Sequence, residues 1–299
     1  MTTGNEPAKV VLTIFTPAYN RADLLPRLFE SIASQVQPGD PVEWLIIDDG
    51  STDDTTAVLQ QFQRTRPDLV RYQSVENGGK HRAINRAAQL AQGAWVMIVD
   101  SDDLLLPQAV SSAMAVIQSV DSDPSIGLIR GLKHFPEKPT ERSFSVPQNP
   151  GTHAQWVSAQ PTWDTAEVVR RSALQQHPFP DFPGERFMAE GWLWHALDRS
   201  HLTYFINQAW IECFYQADGL SASSRRIRVD APEGAMAVYG EMLASPLPWR
   251  LRVRAGINWW RFRFHAADNG IKAANMQQAP LWLAALGWLA YRRDRALGQ

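Results

Sequence analysis

Between residues 10 and 99, four short apolar runs rich in β-branched and aromatic side chains alternate with three stretches of helical spacing. The runs are 10–15, 42–47, 70–75 and 95–99, and the helical stretches are 21–33, 55–63 and 81–91. Within 21–33, Leu24, Leu25, Leu28, Phe29 and Ile32 recur at the intervals that place them on one helix face. Strands separated by helices at this distance predict a parallel sheet. The 95–99 run is apolar throughout, as expected of a strand buried on both faces. The reading is an α/β fold with a mostly parallel central sheet flanked by helices. Ligands bind such sheets beyond the carboxyl ends of the strands.

The polar motifs sit at those ends. The fourth run leads into IVDSDD, with Asp100, Asp102 and Asp103 close together. Crowded carboxylates raise each other's pKa unless a cation neutralises them, and a hard divalent ion with oxygen ligands, Mn²⁺ or Mg²⁺, suits the place. An acidic turn capping the next helix is the competing reading. The second run ends in IIDDGSTDDT, where Asp48 or Asp49 can accept from a base N–H or a ribose hydroxyl, or serve a turn and an N-cap. The first ends in TPAYNR, where Tyr19 can stack on a base and Thr16 and the local backbone can bond to it; Asn20 is positioned to cap the following helix. The third is followed by ENGGKHRAIN, with Lys80 near a helix N-terminus suited to diphosphate, or simply solvated beside a glycine turn.

Taken in order, these four motifs resemble family-2 inverting glycosyltransferases. The family's TPxYNR-like loop, DDGSxD, N-x-G-x-x-x-A-x-N and D-x-DD are all met between Thr16 and Asp103, with weaker likeness as far as Ser221. The resemblance implies a GT-A fold and transfer of one sugar from a nucleotide diphosphate, UDP being the commonest expectation. It implies that Thr16, Pro17, Ala18 and Tyr19 line the base and ribose and that Asp48 or Asp49 meets the base. Lys80 would hold the base or diphosphate, and Asp100 would approach the ribose or the metal. Asp102 would be the main metal ligand, with Asp103 orienting either one. An inverting transfer also needs a base near the acceptor hydroxyl. Relatives carry an acidic residue, often Glu-Asp, after an F-P-E-like loop. Here Glu190 falls on that position and Gly191 stands where Asp is common, so Glu185 and Asp181 remain alternatives. Tyr215–Ser221 resembles a closing loop near the diphosphate, with Asp218 and Ser221 as contacts.

The middle of the chain is less regular, with a helix over 109–119, strands near 126–132 and 165–169 and a helix near 191–198. Charge divides unevenly: residues 1–224 carry 17 Lys+Arg against 26 Asp+Glu, and the remainder 12 against 5. The division predicts a catalytic domain, 1–224 (nucleotide half 1–105, acceptor half 106–224), followed by a helical, basic, Trp-rich region, 225–299. Within 249–265 there are five arginines and no acid, and Trp249, Val253, Ile257 and Trp260 share helical spacing. This pattern suits either an interfacial helix on anionic lipid or a stripe packed on the catalytic body. The near-balanced total charge gives no sign of a nucleic-acid partner.

One cysteine, Cys213, excludes an intrachain disulfide. The N-terminal residues lack a long apolar stretch, and the longest apolar run, 281–291, is shorter than the roughly 20 residues of a spanning helix. A cytoplasmic protein is expected, with the inner membrane face as its alternative station. The acceptor is expected to be a glycan or a lipid-linked intermediate of a cell-surface polysaccharide. The Gln-x-x-Arg-Trp motif of processive synthases is absent. A sugar-nucleotide nucleotidyltransferase would instead carry a Gly-rich basic loop after the first strand. A non-catalytic nucleotide-sugar-binding protein would keep the pocket without the base.

Overall fold

The computed structural model describes residues 9–137, 142–159, 163–214, 224–271 and 278–297. Its first part alternates β1 (Leu12–Ala18), α1 (Leu25–Ala33), β2 (Val42–Asp48), α2 (Thr55–Thr65), β3 (Val70–Ser74), α3 (Lys80–Leu90) and β4 (Trp95–Ile98). The strands lie in the order β3-β2-β1-β4, all parallel. Alternation of side chains across the pleat builds two cores. Ile14, Trp44, Ile46 and Met97 pack under α1 and α2, while Phe15, Leu45, Ile47 and Ile98 pack under α3. Polar residues inside the sheet are paired, as burial requires. Glu43 accepts from the Thr13 hydroxyl at 2.7 Å and meets Arg71 at 2.6 Å.

Beyond β4 come β5 (Leu104–Leu105), α4 (Ala109–Val120), β6 (Ile126–His134), α5 (His153–Ser158), β7 (Thr165–Arg170), α6 (Arg171–Gln176), α7 (Gly191–Leu197) and β8 (Leu202–Glu212). They extend the sheet to eight strands, β3-β2-β1-β4-β7-β6-β8-β5. β7 is antiparallel to β4 and β6, and β5 to β8, so the sheet is parallel in its first four strands and mixed in the rest. β8 has no clear signal in the sequence. Asn207 and Gln208 interrupt its apolar alternation, and there its register against β6 shifts. One expectation is corrected. Asn20 does not cap α1, whose N-cap is Leu24; its side chain accepts from the Thr52 amide instead. Trp192 and Trp194 are buried on α7, 8% and 6% exposed, and belong to the core under α3.

The remaining helices are α8 (Ser224–Asp230), α9 (Pro232–Ala244), α10 (Trp249–Asp268) and α11 (Ala284–Ala296), the last entered through a 3-10 turn, Leu281–Leu283. α10 packs on α9 through Ala255, Trp259, Phe262 and Ala266 rather than the expected stripe, since Trp249 is 70% exposed. Its other side meets α11 at glycine, where a Cβ on Gly287 would stand 2.4 Å from Trp260 Cβ. Asp294 of α11 is buried against Arg261 and His265. α9 is bound to the α/β body by Glu185, whose carboxylate oxygens accept from the amides of Glu233 and Gly234, each at 2.7 Å. Among the described residues no helix is long and apolar enough to cross a membrane.

Candidate active site

The first three strand-end loops are pinned to one another by backbone and carboxylate hydrogen bonds. Asn20 N donates to Ser51 Oγ (2.8 Å), Arg21 N to Thr55 Oγ1 (2.8 Å) and Asp49 N to the Ala18 carbonyl (2.8 Å). Asp48 is 1% exposed and accepts from Ser51 N, Thr56 Oγ1 and Ser74 Oγ. Asp49 is 6% exposed and accepts from Gly78 N and Gly79 N, both at 2.8 Å. Both carboxylates, expected to meet a base, are engaged within the loops that frame the pocket. Thr16 is likewise drawn inward, where its hydroxyl accepts from the Trp44 indole at 2.9 Å. Pro17 and Ala18 finish β1, and Tyr19 alone of that group presents a large exposed ring.

The ENGGKHRAIN segment has a second task that the sequence did not reveal. Gly79 has φ +93°, and a Cβ there would come within 1.9 Å of the Arg186 carbonyl, so the 181–190 segment crosses directly over the start of α3. Arg82 holds that segment, donating to the carbonyls of Phe182 (3.0 Å) and Glu185 (2.7 Å) and pairing with Asp181. Asn85 and Phe179 exchange two hydrogen bonds, at 2.9 and 2.8 Å. The contacts join residues some hundred positions apart.

At the centre Lys80 bridges the two halves of the chain, pairing with Asp100 and, at 2.5 Å, with Glu190 Oε1. Burial would lower the pKa of the Lys80 ammonium, but Asp100 and Glu190 outweigh it and hold it above the ordinary lysine range. Burial would raise Asp100, yet Lys80 and then Lys133 bring its carboxyl below the usual range. Lys133, unforeseen in the sequence, reaches Asp103 and Asp164 at 3.3 Å each and is 8% exposed. Burial nevertheless raises Asp103 to about 6. Glu167, facing the same cavity, is pushed up to about 7, chiefly by burial. Lys80, Asp100, Lys133, Glu167, Glu190 and Arg228 line a cavity of about 260 Å³.

Asp102 differs from its neighbours. Burial first, then Asp100, raises its pKa, and it has no ion-pair partner among the described residues. Nor among those residues is any group of three His, Cys, Asp or Glu side chains arranged to hold a metal by itself. A donor set of one or two carboxylates fits Mg²⁺ or Mn²⁺, which fill their remaining positions with water and substrate phosphate. Of the alternative bases, Asp181 is solvent-facing and paired to Arg82, and Glu185 is occupied at α9, so Glu190 is the one that opens on the cavity. Asp218 and Ser221 lie outside the described residues.

The strand-end loops and their acids lie within a stretch, residues 13–177, that matches the profile described as "Glycosyl transferase family 2", more than half of the chain. The chain belongs to glycosyl transferase family 2. Among curated members similar to it are the poly(ribitol-phosphate) beta-glucosyltransferase of Bacillus spizizenii, 29% identical over 40% of this chain and 19% of that protein, and the chondroitin synthase of Escherichia coli, 40% identical over 33% and 14%. The chain thus spans well under two thirds of the length of these relatives. The family fold is borne out by solved structures. Staphylococcus aureus TarS 1-349, solved with UDP-GlcNAc, superposes with a TM-score of 0.62 at 17% identity, covering 86% of this chain and 73% of that one. The mannosyltransferase PcManGT from Pyrobaculum calidifontis, solved with GDP-Man and Mn²⁺, gives 0.55 at 20% identity over 96% and 80%. The match to the family profile ends before Glu190, so the acceptor side of the cavity stands on this chain's own geometry.

Proposed function

We propose that this protein is an inverting glycosyltransferase that moves one sugar from a nucleoside-diphosphate donor to a hydroxyl acceptor. The observation that carries the reading is the Asp100–Lys80–Glu190 bridge, which joins the strand-end acids to a carboxylate of the acceptor half inside one cavity. Residues 1–224 form the catalytic unit, and the helices after them close its acceptor side. Tyr19 offers a ring to the base, and the pinned loops fix the position of Lys80 beside the diphosphate. Glu190 accepts the proton of the acceptor hydroxyl as its oxygen bonds to the anomeric carbon. The bond from that carbon to the diphosphate oxygen breaks on the opposite face, releasing the nucleoside diphosphate. Asp102, with Asp100 or Asp103 beside it, would hold a divalent cation, which offsets charge on the departing diphosphate. The PcManGT structure with Mn²⁺ supports this assignment.

A UDP-sugar is the favoured donor, in keeping with the UDP-GlcNAc complex of TarS. The acceptor is a glycan or a lipid-linked intermediate in cell-surface polysaccharide assembly, the polymer names of the relatives above supporting the polysaccharide part of this reading. The nucleotidyltransferase alternative is not favoured by the family match. The protein is assigned to the cytoplasm, resting on the membrane's inner face through residues 248–295. Trp282, Leu286 and Leu289 form one exposed row beside Arg292 and Arg293, an arrangement suited to anionic lipid.

Calorimetric titration with UDP, GDP and TDP, with and without Mn²⁺, tests the donor site. Binding of one nucleotide that needs both Mn²⁺ and Asp102, lost in Asp102→Ala, is expected. Nucleotide binding indifferent to both would remove the metal from the reading, and no binding of any of the three would remove the reading itself.

A further inference from the structure

A second cavity, of about 550 Å³, lies between α5, α7, α9 and α10. Trp156, Phe187, Val238, Tyr239, Met242 and Leu251 make its wall predominantly apolar. It shares Phe187, Ala189 and Arg228 with the cavity that holds Glu190, so the two are contiguous. Its cations are Arg228, at the junction, and Arg254 on α10. None of these residues belongs to the donor loops. Such a surface offers few hydrogen-bond partners to the hydroxyls of a sugar, whereas a hydrocarbon chain is drawn into it. The arginines beside the apolar wall match a phosphate, which guanidinium groups bind in a forked geometry.

We propose that this cavity receives the apolar chain of an amphiphilic acceptor, a prenyl or alkyl phosphate-linked molecule. The phosphate meets Arg228 and Arg254, and the reacting hydroxyl lies toward Glu190. The cavity's wall includes Leu251 in the first turn of α10, two positions after the exposed Trp249 and one after the exposed Arg250. A chain leaving the cavity there emerges on an exposed aromatic and basic helix end, consistent with an acceptor drawn from a lipid surface.

The inference rests on the transferase reading only for the fate of the headgroup, and the two are tested apart. Calorimetry with the full chain would use decyl phosphate below its micellar concentration, hexyl phosphate, decanol and inorganic phosphate. Each buried methylene is worth about fourfold in affinity, so decyl phosphate is expected to bind roughly a hundredfold more tightly than hexyl phosphate. Decanol should bind at least about tenfold more weakly than decyl phosphate, and inorganic phosphate should not compete. Met242→Trp fills the cavity and should abolish decyl phosphate binding while UDP binding persists. Arg254→Gln should weaken decyl phosphate at least about tenfold and leave decanol unchanged. Trp282→Ala, on the exposed face of the tail, should change neither. Decyl phosphate binding that survives both Met242→Trp and Arg254→Gln, or that falls with Trp282→Ala, overturns the proposal. UDP binding without decyl phosphate binding sinks the acceptor cavity alone, and the converse sinks the donor site alone.

Discussion

At the scale of single residues, the site divides into side chains that hold loops and side chains left to act. Asp48 and Asp49 lie in a motif that reads either as a nucleotide contact or as a turn and N-cap, and every carboxylate oxygen is taken by a nearby amide or hydroxyl. Sequence places an acid at a strand end but does not tell which way its carboxylate turns. Lys80 was legible from its place just after a strand end, and Glu190 only through the family resemblance of the segment around it; the structure puts both on one cavity. Lys133 was not legible, since it sits in an apolar strand and becomes meaningful only when β6 brings it to Asp103. Glu190→Gln, which keeps the shape and loses the basic oxygen, is expected to lower kcat by about 10²–10⁴-fold. Nucleotide affinity should stay within a few-fold, as checked by transfer assays beside nucleotide titration.

Among elements, the first four strands and three helices fall within a few residues of the sequence reading, because period-two and period-3.6 patterns are strong there. β8 escaped because a register shift breaks its alternation. The buried stripe of α10 was misplaced because the helix packs on two neighbours and so carries apolar residues around much of its circumference. α3 matters most for the site. Its N-terminal glycine lets the 181–190 segment pass at backbone distance; Arg82 holds the first half of that segment and Asn85 holds Phe179 just before it. Gly79→Ala combines a left-handed φ with a clash against the Arg186 carbonyl. It is expected to cost more than about 1 kcal/mol in denaturant unfolding and to raise the KM for acceptor more than that for donor. An unfolding midpoint equal to the wild type's would show that the segment yields freely.

For the whole molecule, two properties follow from what is buried and what is not. His195 is 4% exposed, bonded to Ser245 Oγ at 3.0 Å, and burial brings its pKa from 6.5 down to about 4. Below pH 6.5 the unfolded chain takes up a proton that the folded one refuses, so stability falls as pH drops toward 4, by about 1.4 kcal/mol per unit for this group. His81, also lowered to about 4, adds to the same slope. Glu167 and Asp103, raised to about 7 and about 6, act in the opposite sense, so the histidine share is read as a difference: in urea titrations between pH 7.5 and 4.5, His195→Gln should gain stability relative to the wild type as pH falls. The second property is the exposed row that runs from the 3-10 turn at Trp282 onto α11. Vesicles rich in anionic lipid should sediment the protein, with binding weakening as salt rises. Trp282→Ala with Leu289→Ala should release it.

Glu185 gives these two regions a mechanical relation. Its carboxylate grips the first amides of α9, and Glu190 follows it by five positions along the segment that Gly79 and Arg82 support. Between Glu185 and α9 the chain includes β8, a strand inside the sheet, so this grip ties the start of α9 to the sheet-bearing body. A tilt of the tail would therefore be delivered, as through a short lever, to Glu190, the carboxylate proposed as the base.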